Sequence, residues 1–197
     1  MPTRPIARLV LGAILLAHVG ASTFALDPAG LLTSEPFYTD DYPLHFARAA
    51  VVAAELPRTG RLWAYDPGTL AGYPLGATVF DLDNVGTAVA MALLPLPPPL
   101  AFKLVVLLAV LSAPLVIFAA ARRLGCDDAE ALAAAAGATV VSAAAFTLRL
   151  GMFANFTVSY LAVLIVALAA GHLRAPAPRS FLALVAAATI GLLVHVF

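Results

Sequence analysis

Apolar and polar positions divide the chain into long apolar runs separated by short charged breaks, with one wide polar interval near the start. Arg4 and Arg8 lead into an apolar run from Leu9 to Leu26. At 18 residues it just suffices to cross the hydrocarbon core of a bilayer. A cleaved signal peptide, cut near Thr23-Phe24-Ala25, is the rival reading of the same run. Leu100 to Ala121 predicts a further span, despite Lys103 and Pro114. Arg122-Arg-Leu-Gly-Cys-Asp-Asp128 then reads as a tight loop. Ala129 to Thr147, Phe156 to Gly171 and Phe181 to Phe197 are three more apolar runs. A short break carrying Arg149 and a basic, proline-containing loop from His172 to Arg179 separate them. His18, in the middle of the first run, reads as a helix-packing residue rather than a ligand. The last run stops at Phe197 with no flanking anchor, as expected of a fragment, a truncated gene model or one part of a split protein.

The polar interval, residues 27–99, has a different character. Asp27, Glu35, Asp40, Asp41, Glu55 and Asp66 are spread through it with Arg48, Arg58, Arg61, Trp63 and many prolines. It is too polar to span and reads as a folded loop. Within it, Pro43 to Leu56 predicts a helix, because proline suits a first helical turn, where its missing N–H costs nothing. Leu44, Ala47, Val51 and Ala54 recur at helical spacing and predict an apolar stripe lying along a membrane surface. Pro57 and Gly60 predict its end. The segments beginning at Trp63 and Gly72 read as turns with interfacial aromatics. Thr78 to Leu94 is apolar only after Val85, too short to cross, and closes on the proline run from Pro95 to Pro99.

The expected architecture is therefore all-α: a single transmembrane domain over residues 1–197, with about five spans and a long first loop containing an amphipathic helix. Lysine and arginine favour cytoplasmic loops. Arg4 and Arg8, Arg122 and Arg123, and Arg174 and Arg179 then face the cytoplasm, and residues 27–99 and Arg149 lie on the extracytoplasmic face of the cell membrane. Composition agrees with this class: 62% of residues are hydrophobic and 11% charged, against about 45–50% and 25% in soluble domains. A formal net charge of zero gives no general field for nucleic acid. The single cysteine, Cys126, excludes an intramolecular disulfide and any multi-cysteine metal site.

Candidate chemistry concentrates in Thr39-Asp-Asp-Tyr-Pro-Leu-His-Phe-Ala-Arg48. A helix beginning near Asp41 places Asp41, His45 and Arg48 on one face. A carboxylate there can act as a base on an incoming hydroxyl or amide. With a second acid it can hold a divalent cation, Mg or Mn, on phosphate oxygens. Arg48 and His45 are candidate substrate contacts, Arg48 for a phosphate. The plainer alternative is that Asp40 or Asp41 only caps the helix and that Arg48 is a surface charge. Asp81 and Asp83 share one side of an extended segment, as a shared cation requires, or else mark the polar entry of a membrane-dipping helix. Arg149 either meets a lipid phosphate or snorkels to headgroups. Asn155-Phe-Thr157 matches a glycosylation sequon but lies against a span.

One membrane helix, an external loop opening on an acidic motif and an amphipathic helix, then tightly connected spans: this order resembles the GT-C superfamily of membrane glycosyltransferases. Asp41-Tyr-Pro-Leu-His-Phe-Ala-Arg48, Trp63 and Gly72-Tyr-Pro-Leu-Gly76 are similar to the first external loop of oligosaccharyltransferase catalytic subunits and their relatives. Ala101-Phe-Lys-Leu104 and Ala121-Arg-Arg-Leu124 are similar to the next span of bacterial and archaeal members. The flavour is also that of the branch labelled 6-pyruvoyl-tetrahydropterin synthase-related membrane proteins, a label that carries no pterin chemistry. The resemblance implies sugar transfer from a polyprenyl-phosphate-linked donor on the extracytoplasmic face, with inversion at the anomeric centre. It makes the first-loop acid, Asp41 or Asp40, catalytic, and the chain the N-terminal part of a longer protein. Oligosaccharyltransferases carry a second acidic motif in the next external loop. The matching stretch here, Gly151-Met-Phe-Ala-Asn155, has no carboxylate.

Overall fold

A computed structural model describes residues 4–26, 28–31, 33–68, 73–75, 85–140 and 148–194. The described residues are mostly helical. The helices are α1 (Arg4–Ala25), α2 (Pro28–Leu31), α3 (Tyr42–Thr59), α4 (Val85–Leu93), α5 (Pro98–Leu124), α6 (Asp128–Val140), α7 (Phe153–Arg174) and α8 (Pro178–Val194). Three stretches are long and apolar enough to cross a membrane: Pro5–Ala25, Pro98–Leu124 and Ala154–Arg174. At about 1.5 Å per residue, α5 is roughly 40 Å long, ample for a hydrocarbon core.

The long helices form one bundle. α5 packs between α6 and α7, α1 lies against α5 and α6, and α8 closes on α7. Small side chains line the contacts: Ala101, Ala113, Ala120, Ala131, Ala135 and Ala167 are all buried. Alanines let backbones approach closely, which is how helices associate where there is no water to drive them together.

Pro114 shapes the centre of the bundle. A proline inside a helix leaves the carbonyl four residues earlier without its N–H partner. That carbonyl belongs to Val110, and His18 of α1 donates to it through Nε2 at 3.0 Å. Because a carbonyl can only accept, this bond assigns the proton to Nε2. The neighbouring carbonyl, Ala109, accepts from the Tyr160 hydroxyl of α7 at 2.6 Å, with Ser112 beside it. The weak point of α5 is thus bound from both sides. His18, expected to be a packing residue, fills that role. It also lines a cavity of about 20 Å³ with Ser22 and Thr139, room for one water molecule.

The polar interval folds onto one end of this bundle. Lys103, buried in the first turns of α5, donates to the backbone carbonyl of Gly30 and, at 2.8 Å, to that of Thr33. Its ammonium also sits 5.2 Å from the ring centre of Phe37. This one side chain pulls the chain after α1 back across the bundle end. Tyr42 and Phe102 meet edge to face at 6.4 Å, as do Phe46 and Phe102 at 5.6 Å, while Phe37 tilts against Tyr42 at 4.9 Å. The loop and the bundle therefore share one core, running from Phe37 and Tyr42 through Phe102 to Val110.

Helix α3 starts and stops close to expectation. Pro43 lies in its first turn, and Gly60 closes it in the left-handed conformation, donating to the Leu56 carbonyl. Pro57 lies inside the last turn rather than ending the helix. The face packed on the protein is Tyr42, Ala49, Val52 and Ala53, set by the aromatic cluster around Tyr42 and the packing of α3 on α4. Of the stripe expected along a membrane surface, Leu44, Ala47 and Ala54 are exposed and Val51 is half-buried. Two short strands, β1 (Ala64–Asp66) and β2 (Tyr73–Leu75), pair antiparallel where turns alone were expected. Among the described residues α4 is nine residues long.

Candidate active site

The candidate site lies at the bundle end where α1 finishes and α5 and α7 begin. Asp41 is the N-cap residue of α3, and its backbone carbonyl accepts from His45 N–H at 3.1 Å. Its side chain makes no capping hydrogen bond, contrary to the plain capping role, and the residue is half-buried. Asp40, one residue earlier, is exposed and has φ +46°, the only non-glycine residue with positive φ among the described residues. Aspartate tolerates that conformation better than most residues. The two neighbouring acids therefore differ in setting: Asp40 is exposed and Asp41 is half-buried.

His45 and Arg48 follow on the same flank of α3 as Asp41, and both are half-buried. That flank lies roughly a quarter-turn around the helix from the stripe anchored by Tyr42 and Ala49. Three of the expected site residues therefore form one row beside the buried face.

The turn after α6 comes to meet this row. Gly151, at φ +72°, is buried against the start of α3. A Cβ on Gly151 would stand 2.7 Å from the Tyr42 nitrogen and 3.0 Å from the backbone of Asp41. Only glycine permits both that backbone conformation and that approach. Leu148 of the same turn is part of the shared core. Arg149 is exposed, its guanidinium carbon 5.8 Å from the ring centre of Phe24 in the last turn of α1, within cation–π range. The structure thus gathers Asp41, the Gly151 turn and Arg149 at the end of α1.

The expected residues Asp81 and Asp83 lie outside the described residues. No group of three or more His, Cys, Asp or Glu side chains comes together among the described residues, so no ligand set for a divalent cation is complete there. In the sequon, Thr157 is buried in the first turns of α7 and Asn155 is half-buried.

Several contributors were not evident from sequence. Gly151 read only as part of a break, although a glycine beside a lone arginine between two apolar runs is the pattern of a tight, close-packed turn. Tyr42 and Phe24 gave no signal of their own. Burial raises the Tyr42 phenol well above its ordinary value near 10, so it stays neutral next to the candidate base.

Compared with family models, with curated proteins and with solved structures, the chain matches none.

Proposed function

We propose that this chain is a multi-pass membrane protein with a glycosyltransferase-like site of GT-C type on its extracytoplasmic face, and that it forms the N-terminal part of such an enzyme. In this reading α1, α5, the apolar run from Ala129 to Thr147, α7 and α8 supply five spans. The ends of α1 and the starts of α5 and α7 gather at one end, as alternating spans require. Arg122 and Arg123 fall at the other end, which the bias of basic residues assigns to the cytoplasm.

The observation that carries the reading is the backbone contact between Asp41–Tyr42 and Gly151. It joins the two external segments that the resemblance implicates in sugar transfer, although they are over a hundred residues apart in sequence. Asp41, half-buried and not used as a cap, takes the proton from the acceptor's hydroxyl or amide as that atom attacks the anomeric carbon. The bond from that carbon to the lipid phosphate breaks on the opposite side, and the phosphate leaves with the electron pair. Inversion follows from this geometry. Arg149, with Arg48, offsets the charge on the departing phosphate. No step is routed through a cation. Asp81 and Asp83 remain the proposal for any metal site.

A non-catalytic lipid-handling or transport protein is the alternative. Transporters place working ionisable groups or broken helices near the midplane. Here His18 is taken up in holding α1 to α5, and Lys103 in holding the loop to the bundle. Both commitments support the enzyme reading.

The test is sugar transfer from polyprenyl-phosphate-linked donors by the full-length protein in membranes. The Asp41→Asn variant is expected to lose at least 100-fold, the scale of a missing general base, and Asp40→Asn far less. Unchanged transfer by the double variant removes the proposed base.

A further inference from the structure

At the far end of the bundle from Asp41, a cavity of about 230 Å³ opens between α1 and α5. Ala7, Arg8, Leu11, Phe118, Arg122 and Asp128 line it. We propose that this cleft binds an anionic phospholipid, with Arg8 and Arg122 on the headgroup phosphate and Leu11 and Phe118 along an acyl chain.

The lining is ordered by depth in a way that fits this ligand. Leu11 lies one turn deeper in α1 than Arg8, and Phe118 one turn deeper in α5 than Arg122. Both walls therefore present a guanidinium at the mouth and an apolar side chain below it. A lipid has the same sequence of chemistry, phosphate first and hydrocarbon after. The charges leave a net attraction for an anion. Arg122 pairs with Asp128 at 3.2 Å and donates to the Cys126 carbonyl, so one acid is offset. Arg8 is exposed and makes no ion pair among the described residues. An exposed arginine at the end of a membrane-crossing helix reaches the headgroup level, where a phosphate in a basic pocket between helices supplies its counter-charge. The inference rests on the bundle lying in a bilayer and is independent of any role for Asp41.

The experiment uses the full chain, purified in an uncharged detergent and examined by native mass spectrometry with dioleoyl phosphatidylglycerol or dioleoyl phosphatidylcholine. Phosphatidylglycerol is expected to be retained in preference to phosphatidylcholine. Arg8→Gln is expected to weaken that retention about five-fold, the contribution of one basic residue near a charged headgroup, and to leave phosphatidylcholine unaffected. Phe118→Ala is expected to weaken retention of both. Arg122→Gln also breaks an ion pair within the protein, so the exposed Arg8 carries the decision. Equal retention of the two lipids, or an Arg8→Gln variant that holds phosphatidylglycerol as well as the parent, overturns the proposal. So does full displacement by equimolar glycerol phosphate, which shares the headgroup chemistry but has no chain.

Discussion

At the residue scale, single positions at the loop end have sharply defined roles. Gly151 is the clearest. Gly151→Ala forces an alanine into a positive-φ conformation and drives its Cβ into the backbone of Asp41 and Tyr42. Backbone cannot swing aside as a side chain can. A loss of at least about 2 kcal/mol is expected, read as a lower melting temperature, with loss of any activity that depends on Asp41. Tyr42 sets a pH dependence. Its folded-state pKa lies above the unfolded value near 10, so its contribution is complete below pH 10 and is lost as the unfolded phenol ionises at higher pH. Melting temperatures between pH 8 and 11 are expected to fall more for the parent than for Tyr42→Phe; parallel curves would show that Tyr42 is not the group responsible. Sequence made Asp41, His45 and Arg48 legible because helical spacing alone sets them in a row. It could not reveal Gly151 as their neighbour, since that depends on how two distant segments fold against each other.

At the element scale, α5 and α3 show which signals survive packing. The limits of α3 were readable from Pro43 and Gly60, because local backbone geometry decides them. Its protein-facing side, Tyr42, Ala49, Val52 and Ala53, was not, because packing against Phe37 and Phe102 sets it and local spacing does not. The hairpin escaped notice because three-residue strands are too short to show alternation, and one contains Pro74. In α5, Pro114 read only as an interruption that the apolar run tolerates, with no sign of its partners. A double-mutant cycle tests the pairing of His18 with the Val110 carbonyl. His18→Ala is expected to cost about 1 kcal/mol, the scale of a hydrogen bond between membrane helices. In a Pro114→Ala background, where residue 114 regains its N–H, the cost should shrink toward zero. An equal cost in both backgrounds would show that His18 does not serve the proline. Lys103→Met should free residues 28–33, seen as several-fold faster proteolysis there, because two carbonyls lose their donor at about 1–3 kcal/mol.

At the scale of the whole molecule, the membrane class was legible from apolar runs alone, since no soluble core of this size hides so much hydrocarbon. The structure adds a polarity along the bundle. One end carries the folded loop, Asp41, Gly151 and Arg149, and the other carries Arg8, Arg122 and the capped turn into α6, where Asp127 accepts from the Ala129 and Glu130 N–H groups. The two proposed sites lie at these opposite ends of the bundle, one for a lipid-borne sugar and one for an anionic lipid. Both depend on which face is which. The most direct test is cysteine labelling in intact cells with a membrane-impermeant maleimide, with Cys126→Ser as the background for a cysteine introduced at position 40, and native Cys126 probed separately. Position 40 is expected to label from outside without permeabilisation, and Cys126 only after it. The reverse pattern would place Asp41 in the cytosol and contradict the account.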